Sequence, residues 1–292
     1  MFPPTRRVPG PATSVLAWFC ICADAVPARA ASIPAPTPTP TPAPPVAAAP
    51  RRAPFVVTST TGYWLAKVNA FQREQARLAA LPAADRPTTA AGAVVFVGDS
   101  LTERAPLERL LPGLGTVNRG IGGDKIGGGR YVGVLDRVTS TVAPLRPRAI
   151  VVMVGVNDIV FARTPPDDMD RQYAMLLETL RRIVPADRMV VVGVLPVRGE
   201  HAWRVDGIVA FNKRLRAMAR AIGARWVDAR GAMAGPDGGL RARFAADAIH
   251  LNAAGYRAWS KALRPALRGL RKLDQPGGPS PPSKPGSRSR PL

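Results

Sequence analysis

Ser100, Gly123, Asn157, Asp247 and His250 are the residue types from which an acyl-transfer site can be built, and each stands in a short polar or glycine-rich break between apolar runs. A serine hydroxyl is a poor nucleophile until a neighbouring base takes its proton, so a serine mechanism needs a histidine. The chain offers two, His201 and His250. His201 sits in the charged stretch Arg198-Gly199-Glu200-His201, which reads as a solvated surface loop. His250 follows Asp247 by three residues, a spacing at which a turn can bring the carboxylate to the imidazole, fix its tautomer and stabilise its protonated form. Acyl transfer also needs donors aimed at the developing oxyanion. Gly123 can bring its backbone N–H close to a ligand because no side chain intervenes, Asn157 carries a side-chain amide, and the Ser100 N–H is a third candidate. Taken singly, each motif has a plainer reading: a Gly-Asp-Ser turn, a glycine turn, a helix cap, and an aspartate cap with a histidine packed on a sheet. Their conjunction is what points to chemistry.

Positioning these groups requires several chain segments to end at one rim. Val94-Val95-Phe96-Val97 is an apolar run suited to a strand covered on both faces, and Gly98 after it lets the backbone turn. Further strands are expected near 115–118 and at 149–154, 189–195 and 225–227, with helices at 63–80, 104–111, 132–142, 167–183, 209–222 and 253–270. The 63–80 segment spaces Leu65, Val68, Phe71 and Leu78 along one helical face. Strands alternating with helices in this way imply a mainly parallel sheet with helices on both faces. Gly98-Asp99-Ser100-Leu101, Asn118-Arg119-Gly120-Ile121-Gly122-Gly123-Asp124 and Gly155-Val156-Asn157-Asp158 follow three of the strands, and Asp247-Ala248-Ile249-His250 precedes the last helix. In open α/β sheets that carboxyl edge is where ligands bind.

The two ends of the 292-residue chain differ in composition from the middle. Residues 1–30 carry Arg6 and Arg7, an apolar stretch from 15 to 22 and two small-residue sites, Ala23-Asp24-Ala25 and Ala28-Arg29-Ala30, the pattern of a secretory signal peptide. The apolar stretch falls well short of the roughly 20 residues that span a bilayer, so no stable membrane span is expected. Residues 31–54 alternate proline, threonine and alanine, a stiff linker that cannot build a core. Residues 55–272 form the expected catalytic domain, and 273–292 a disordered basic tail. Both cysteines, Cys20 and Cys22, lie in the leader, so the mature chain is expected to lack disulfides, a thiolate nucleophile and cysteine metal sites. The net charge of +21 is mostly spread over predicted helices, and only the C-terminal tail concentrates it. No nucleic-acid partner is expected, and the basic surface favours at most weak association with anionic envelope polymers.

The four ordered blocks resemble those of the SGNH, or GDSL, hydrolase superfamily over about residues 93–270. The second block, with Val194-Leu195-Pro196 and His250-Leu251-Asn252-Ala253-Ala254-Gly255-Tyr256, is similar to the branch that holds the platelet-activating-factor acetylhydrolase subunits and many bacterial carbohydrate esterases. The resemblance implies a three-layer α/β/α sandwich with a flavodoxin-like sheet. It also implies Ser100 as nucleophile, Gly123 and Asn157 as oxyanion donors, His250 as base and Asp247 as its support, with no metal or cofactor. The chain departs from that branch after Asp124, where Lys125-Ile126-Gly127-Gly128-Gly129-Arg130 makes a longer loop, expected to be flexible. No G-x-S-x-G surrounds Ser100, so the chain does not resemble the α/β-hydrolase class.

These readings converge on an exported, periplasmic or secreted, serine esterase acting on short-chain esters, acetyl above all, of a carbohydrate or envelope glycan. Two alternatives stand beside it. One is a lysophospholipase or thioesterase of the same superfamily, which would need a long apolar channel. The other is a non-catalytic envelope-binding module that keeps the fold.

Overall fold

A computed structural model describes residues 59–81 and 92–273. The expected leader at 1–30, the linker at 31–54 and the tail beyond residue 273 lie outside them. Five parallel strands form one sheet in the order β2-β1-β3-β4-β5: β1 Val94–Gly98, β2 Thr116–Gly120, β3 Ala149–Met153, β4 Met189–Val192 and β5 Arg225–Val227. Every residue of β1, β3 and β4 is buried, which explains their unbroken apolar sequence: a strand covered on both faces has no polar side to present. The helices fall into two groups. α4 Val134–Thr141, α5 Pro166–Arg181 and α6 Val205–Ala221 pack in series, while α8 Ala253–Leu273 packs with α3 Leu107–Leu110 and α7 Ala229–Met233. The Trp259 ring of α8 meets Phe96 of β1 edge-on at 6.0 Å, and Tyr173 of α5 meets Phe211 of α6 at 5.9 Å. No helix among the described residues is long and apolar enough to cross a membrane.

Strand order reverses direction between β1 and β3, the switch point at which loops from adjacent strands part and leave a crevice. Ser100 leaves β1 and Asn157 leaves β3, so the two flank that crevice.

Three local expectations are corrected. The helix expected at 104–111 is instead two single turns, α2 Ser100–Glu103 and α3 Leu107–Leu110, because Pro106 disfavours helical backbone at Ala105. α2 begins on Ser100 itself, capped by Asp99, whose carboxylate accepts the Leu101 N–H at 2.9 Å. The Gly127–Gly129 loop is tied rather than loose: Asp136 Oδ2 accepts from the N–H groups of Gly128 at 3.0 Å and Gly133 at 2.9 Å. Gly127 and Gly128 have φ of 88° and 76°, which glycine alone adopts without strain. Gly98, by contrast, has no left-handed backbone, and what demands glycine there is space.

A Cβ on Gly98 would be driven into the Met153 carbonyl and the Thr102 hydroxyl. Gly98→Ala is therefore expected to destabilise the protein by about 1–3 kcal/mol through overpacking, read as a lower urea midpoint at unchanged slope. An unchanged midpoint would show that the β1 exit has slack.

Candidate active site

Ser100 occupies the first position of α2, where the N–H has no helical acceptor, and its side chain is buried to 7% exposure. The His250 ring reaches it from the segment before α8, with Nε2 2.8 Å from Ser100 Oγ. On the other side of the ring, Nδ1 lies 2.7 Å from Asp247 Oδ2. Asp247 Oδ1 accepts the backbone N–H groups of Ile249 at 2.8 Å and His250 at 2.7 Å. These three bonds fold residues 247–250 into a closed turn in which the carboxylate orients both the peptide and the ring of the same histidine. Partial burial alone would raise the Asp247 pKa, but the backbone N–H groups and the imidazole outweigh it and hold the carboxyl at about 2. Asp247 is no helix cap: α8 takes its cap from Asn252, whose Oδ1 accepts the Gly255 N–H at 2.9 Å.

Gly123 follows β2 with φ of 76°, a backbone state that suits glycine, and its N–H has no acceptor among the described residues. Asn157 is buried after β3 and donates from Nδ2 to the Asp124 carbonyl at 2.8 Å. An acceptor on that side fixes which amide atom is nitrogen and leaves the second Nδ2 proton for another partner. The Asn157 side chain caps no helix, although the residue leads into the π-helical turn Asp158–Ala162. A serine in contact with an imidazole, a carboxylate behind that imidazole, and unpaired donors on Ser100, Gly123 and Asn157 are the parts that acyl transfer needs. All five residues singled out from the sequence are thus placed in the loops at the carboxyl edge of the sheet.

His201 stands apart from this contact network. It lies in the 3-10 turn Gly199–Arg204, half-buried with its ring edge-on to Phe161 at 5.4 Å, rather than in a solvated loop.

Sequence reasoning missed the groups that hold the site. Arg137 of α4 is wholly buried; its Nε donates to Asp124 Oδ2 at 2.8 Å, and its Nη2 donates to the carbonyls of Gly98 at 3.2 Å and Arg119 at 2.8 Å. Trp64 of α1 Ser59–Ala80 donates to Asp124 Oδ1 at 3.0 Å. Glu103 accepts from the Gly122 N–H at 2.7 Å, from Tyr63 Oη at 2.6 Å and from Lys67 at 2.8 Å. Partial burial raises the Glu103 pKa, but the Lys67 ammonium and the Tyr63 hydroxyl more than offset it and leave the carboxyl below its usual range. Only Asp124 carried a signal, as the last residue of the second block. Among the described residues, no three His, Cys, Asp or Glu side chains converge as metal ligands would.

Asp158 and Asp99 are buried carboxyls of a different kind. Desolvation pushes Asp158 up to about 8 against the Ile126 N–H that it accepts, and Asp99 up to about 7 against the Leu101 N–H. A folded-state pKa above the unfolded value means that the folded chain holds the proton more tightly. The stabilisation from Asp158 is therefore full below about pH 4 and is lost as pH rises through about 8. Asp158→Asn keeps an acceptor for Ile126 and cannot ionise, so its urea midpoint is expected to gain on the wild type steadily between about pH 4 and pH 8 and to keep a constant lead above that. A difference that stays constant from about pH 4 to about pH 8 would refute the assignment.

Residues 96–258 match the GDSL-like Lipase/Acylhydrolase family. No curated protein matches the chain. Solved structures with a similar fold include a protein from Streptococcus pneumonia named for platelet activating factor, 21% identical at a TM-score of 0.58, with 71% of this chain and 95% of that one covered. A GDSL-like lipase from Bacteroides thetaiotaomicron is 23% identical at a TM-score of 0.56, with 69% and 98% covered. A Bacteroides fragilis protein assigned as an acylhydrolase is 25% identical at 0.55, with 68% and 97% covered. The fold agrees with those structures, and the family match spans more than half of the 292 residues: the chain belongs to the GDSL-like lipase/acylhydrolase family and is an ester hydrolase of the SGNH type.

Proposed function

We propose that the protein is a serine esterase that removes short acyl groups, acetyl in particular, from a carbohydrate by way of an acyl-enzyme. The observation that carries this reading is the unbroken chain of contacts from Ser100 Oγ to His250 Nε2 at 2.8 Å and from His250 Nδ1 to Asp247 Oδ2 at 2.7 Å. In the first step His250 takes the Ser100 proton as Oγ attacks the ester carbonyl. The oxyanion is received by the N–H groups of Ser100 and Gly123 and by the free proton of Asn157 Nδ2. His250 then gives the proton to the departing alcohol. In the second step water enters, loses its proton to His250 and attacks the acyl carbon; the acid leaves and Ser100 recovers its proton. Asp247 stays ionised throughout, since its carboxyl is held at about 2, and it stabilises the imidazolium that forms in each half.

Support for a short acyl group comes from how closely the site is walled. A Cβ placed on Gly122 would already press on the Glu103 carboxylate at 3.0 Å and touch the Tyr63 ring and the Ser100 Cβ at 3.6 and 3.9 Å, so little room is left on that side of the nucleophile. A lysophospholipase or thioesterase would need an apolar channel there instead. The carbohydrate and the place of action, outside the cytoplasm, rest on the leader-like residues 1–30 and on the branch to which the sequence blocks are similar.

Ser100→Ala is expected to abolish ester hydrolysis while leaving the urea midpoint near that of the wild type; retained turnover would reject the nucleophile. Asn157→Ala is expected to lower kcat by about 10²–10³ with a smaller change in KM, as for the loss of one oxyanion donor. Over a series of p-nitrophenyl esters, kcat/KM should peak at acetyl or propionyl. A peak at octanoyl or beyond would replace the carbohydrate esterase with the lipase reading.

A further inference from the structure

The loops after β2, β3 and β4 carry a band of cations and exposed rings. In a cavity of about 240 Å³ the polar lining includes Lys125, Arg130, Arg163, Asp168 and Gln172. Lys125 Nζ lies 3.5 Å from the carbonyl of Gly123, and Asp158, which also lines the cavity, directly follows Asn157 in the chain, so two of the lining residues are tied to the segments that carry the oxyanion donors. The band continues past its rim. Arg163 lies 5.5 Å from the ring of Trp203, and Arg204 covers the same ring at 3.7 Å. Lys125 and Arg130 flank Tyr131 at 4.8 and 5.6 Å. Trp203 and Phe161 are both 59% exposed and Tyr131 40%, a high share for aromatic side chains next to a site.

The charge in this band is unbalanced. Asp168 is taken by Arg171, and Asp158 is held largely protonated at neutral pH by its burial. Among the described residues, Lys125, Arg130, Arg163 and Arg204 form no ion pair with a carboxylate. Arg204 Nε is buried with no hydrogen-bond partner, and desolvation together with the charge of Arg163 lowers the Arg204 pKa. Two guanidinium groups on one indole, without an acid between them, repel each other, and a bound anion would relieve that repulsion. Guanidinium forks suit carboxylate and phosphate, while exposed indole and phenol rings offer flat apolar faces to the C–H face of a sugar.

We propose that this band is the subsite for the alcohol part of the ester, and that the acceptor is an anionic glycan: sugar rings lie along Trp203 and Tyr131, and acidic groups sit on Arg163, Arg130 and Arg204. The proposal rests on the esterase reading above and names its substrate class. A lipid surface fits less well, because the cavity is polar and both Trp203 and Tyr131 are flanked by cations.

The test compares acetylated oligogalacturonate, an acetylated phosphodiester-linked glycan, acetylated xylo-oligosaccharide and p-nitrophenyl acetate as substrates of the full chain. The ratio of kcat/KM on one or both acidic glycans to that on the neutral glycan should exceed about 10, a difference of about 1.4 kcal/mol, and should shrink with salt. The arm that wins tells carboxylate from phosphate. In Arg163→Gln and Arg130→Gln the ratio should fall several-fold, chiefly through KM. Arg216→Gln removes the same charge from the exposed flank of α6 and should leave the ratio alone. Ser100→Ala, which cannot turn over, should bind the non-acetylated acidic oligomer more tightly than anionic phospholipid vesicles. A ratio near one, equal loss in Arg216→Gln, or stronger binding to vesicles would overturn the subsite. Failure of the wild type to hydrolyse p-nitrophenyl acetate would instead overturn the esterase reading, so the two failures are distinguishable.

Discussion

Four loops can serve one carbonyl only if something other than the sheet holds them in register beyond the strand ends, and here that is the buried pair of Asp124 and Arg137. The guanidinium contacts the Asp124 carboxylate at 2.7 and 2.8 Å and also holds the carbonyls of Gly98 and Arg119, the exits of β1 and β2. The Asp124 carbonyl in turn holds the Asn157 amide after β3. Three of the four blocks are thus joined through one ion pair. Its energetic role differs from its geometric one. Desolvation pushes Asp124 up to about 6 even with Arg137 beside it, and Arg137 Nη1 is left without a partner. A buried pair of this kind adds little net stability, but removing one partner costs about 3–5 kcal/mol because the other is stranded. What it supplies is position.

α1 acts on the same loop from outside. Its Trp64, Val68 and Phe71 form a small cluster with Ile121 and Val132, separate from the main core around the sheet. Lys67 and Tyr63 hold Glu103, Glu103 holds the Gly122 N–H, and Glu74 pairs with Arg119. The helix therefore braces the end of β2 and the glycine turn after it, which contains Gly123. A segment with few core contacts and many bonds to one loop couples its own local opening to the geometry of that loop.

The fold was legible because burial writes itself into sequence. β1, β3 and β4 are covered on both faces, so their residues are apolar runs, and Ser100, Asn157, Asp247 and His250 stand where β1, β3 and the last helix meet polar breaks, while Gly123 was marked by its glycine-rich block after β2. The supports were not legible for the converse reason. An arginine in the middle of a helix, as Arg137 is, reads as solvated unless its partners are known, and they lie in three other segments. Trp64 lies 60 residues from the carboxylate that its indole holds. The same limit applies to Arg104 and the residues after it: local helical pattern suggested one helix, but the cap at Asp99 and the constraint from Pro106 moved the helical turn onto the serine.

The two kinds of carboxyl around the site explain why the one that touches His250 sits at the rim. Asp99 and Asp158 are sealed from water, and backbone N–H groups do not offset their desolvation, so they rise to about 7 and about 8. A carboxyl in either place would be protonated for much of the range in which an imidazole works, and it could not stabilise an imidazolium. Asp247 is 54% exposed and also accepts two backbone N–H groups and the ring, so the same side chain is held at about 2. Exposure would normally weaken such a charge by screening. The closed turn at 247–250 offsets that by keeping the carboxylate in contact with the imidazole, so the pair combines the solvation of the surface with the fixed geometry of the interior.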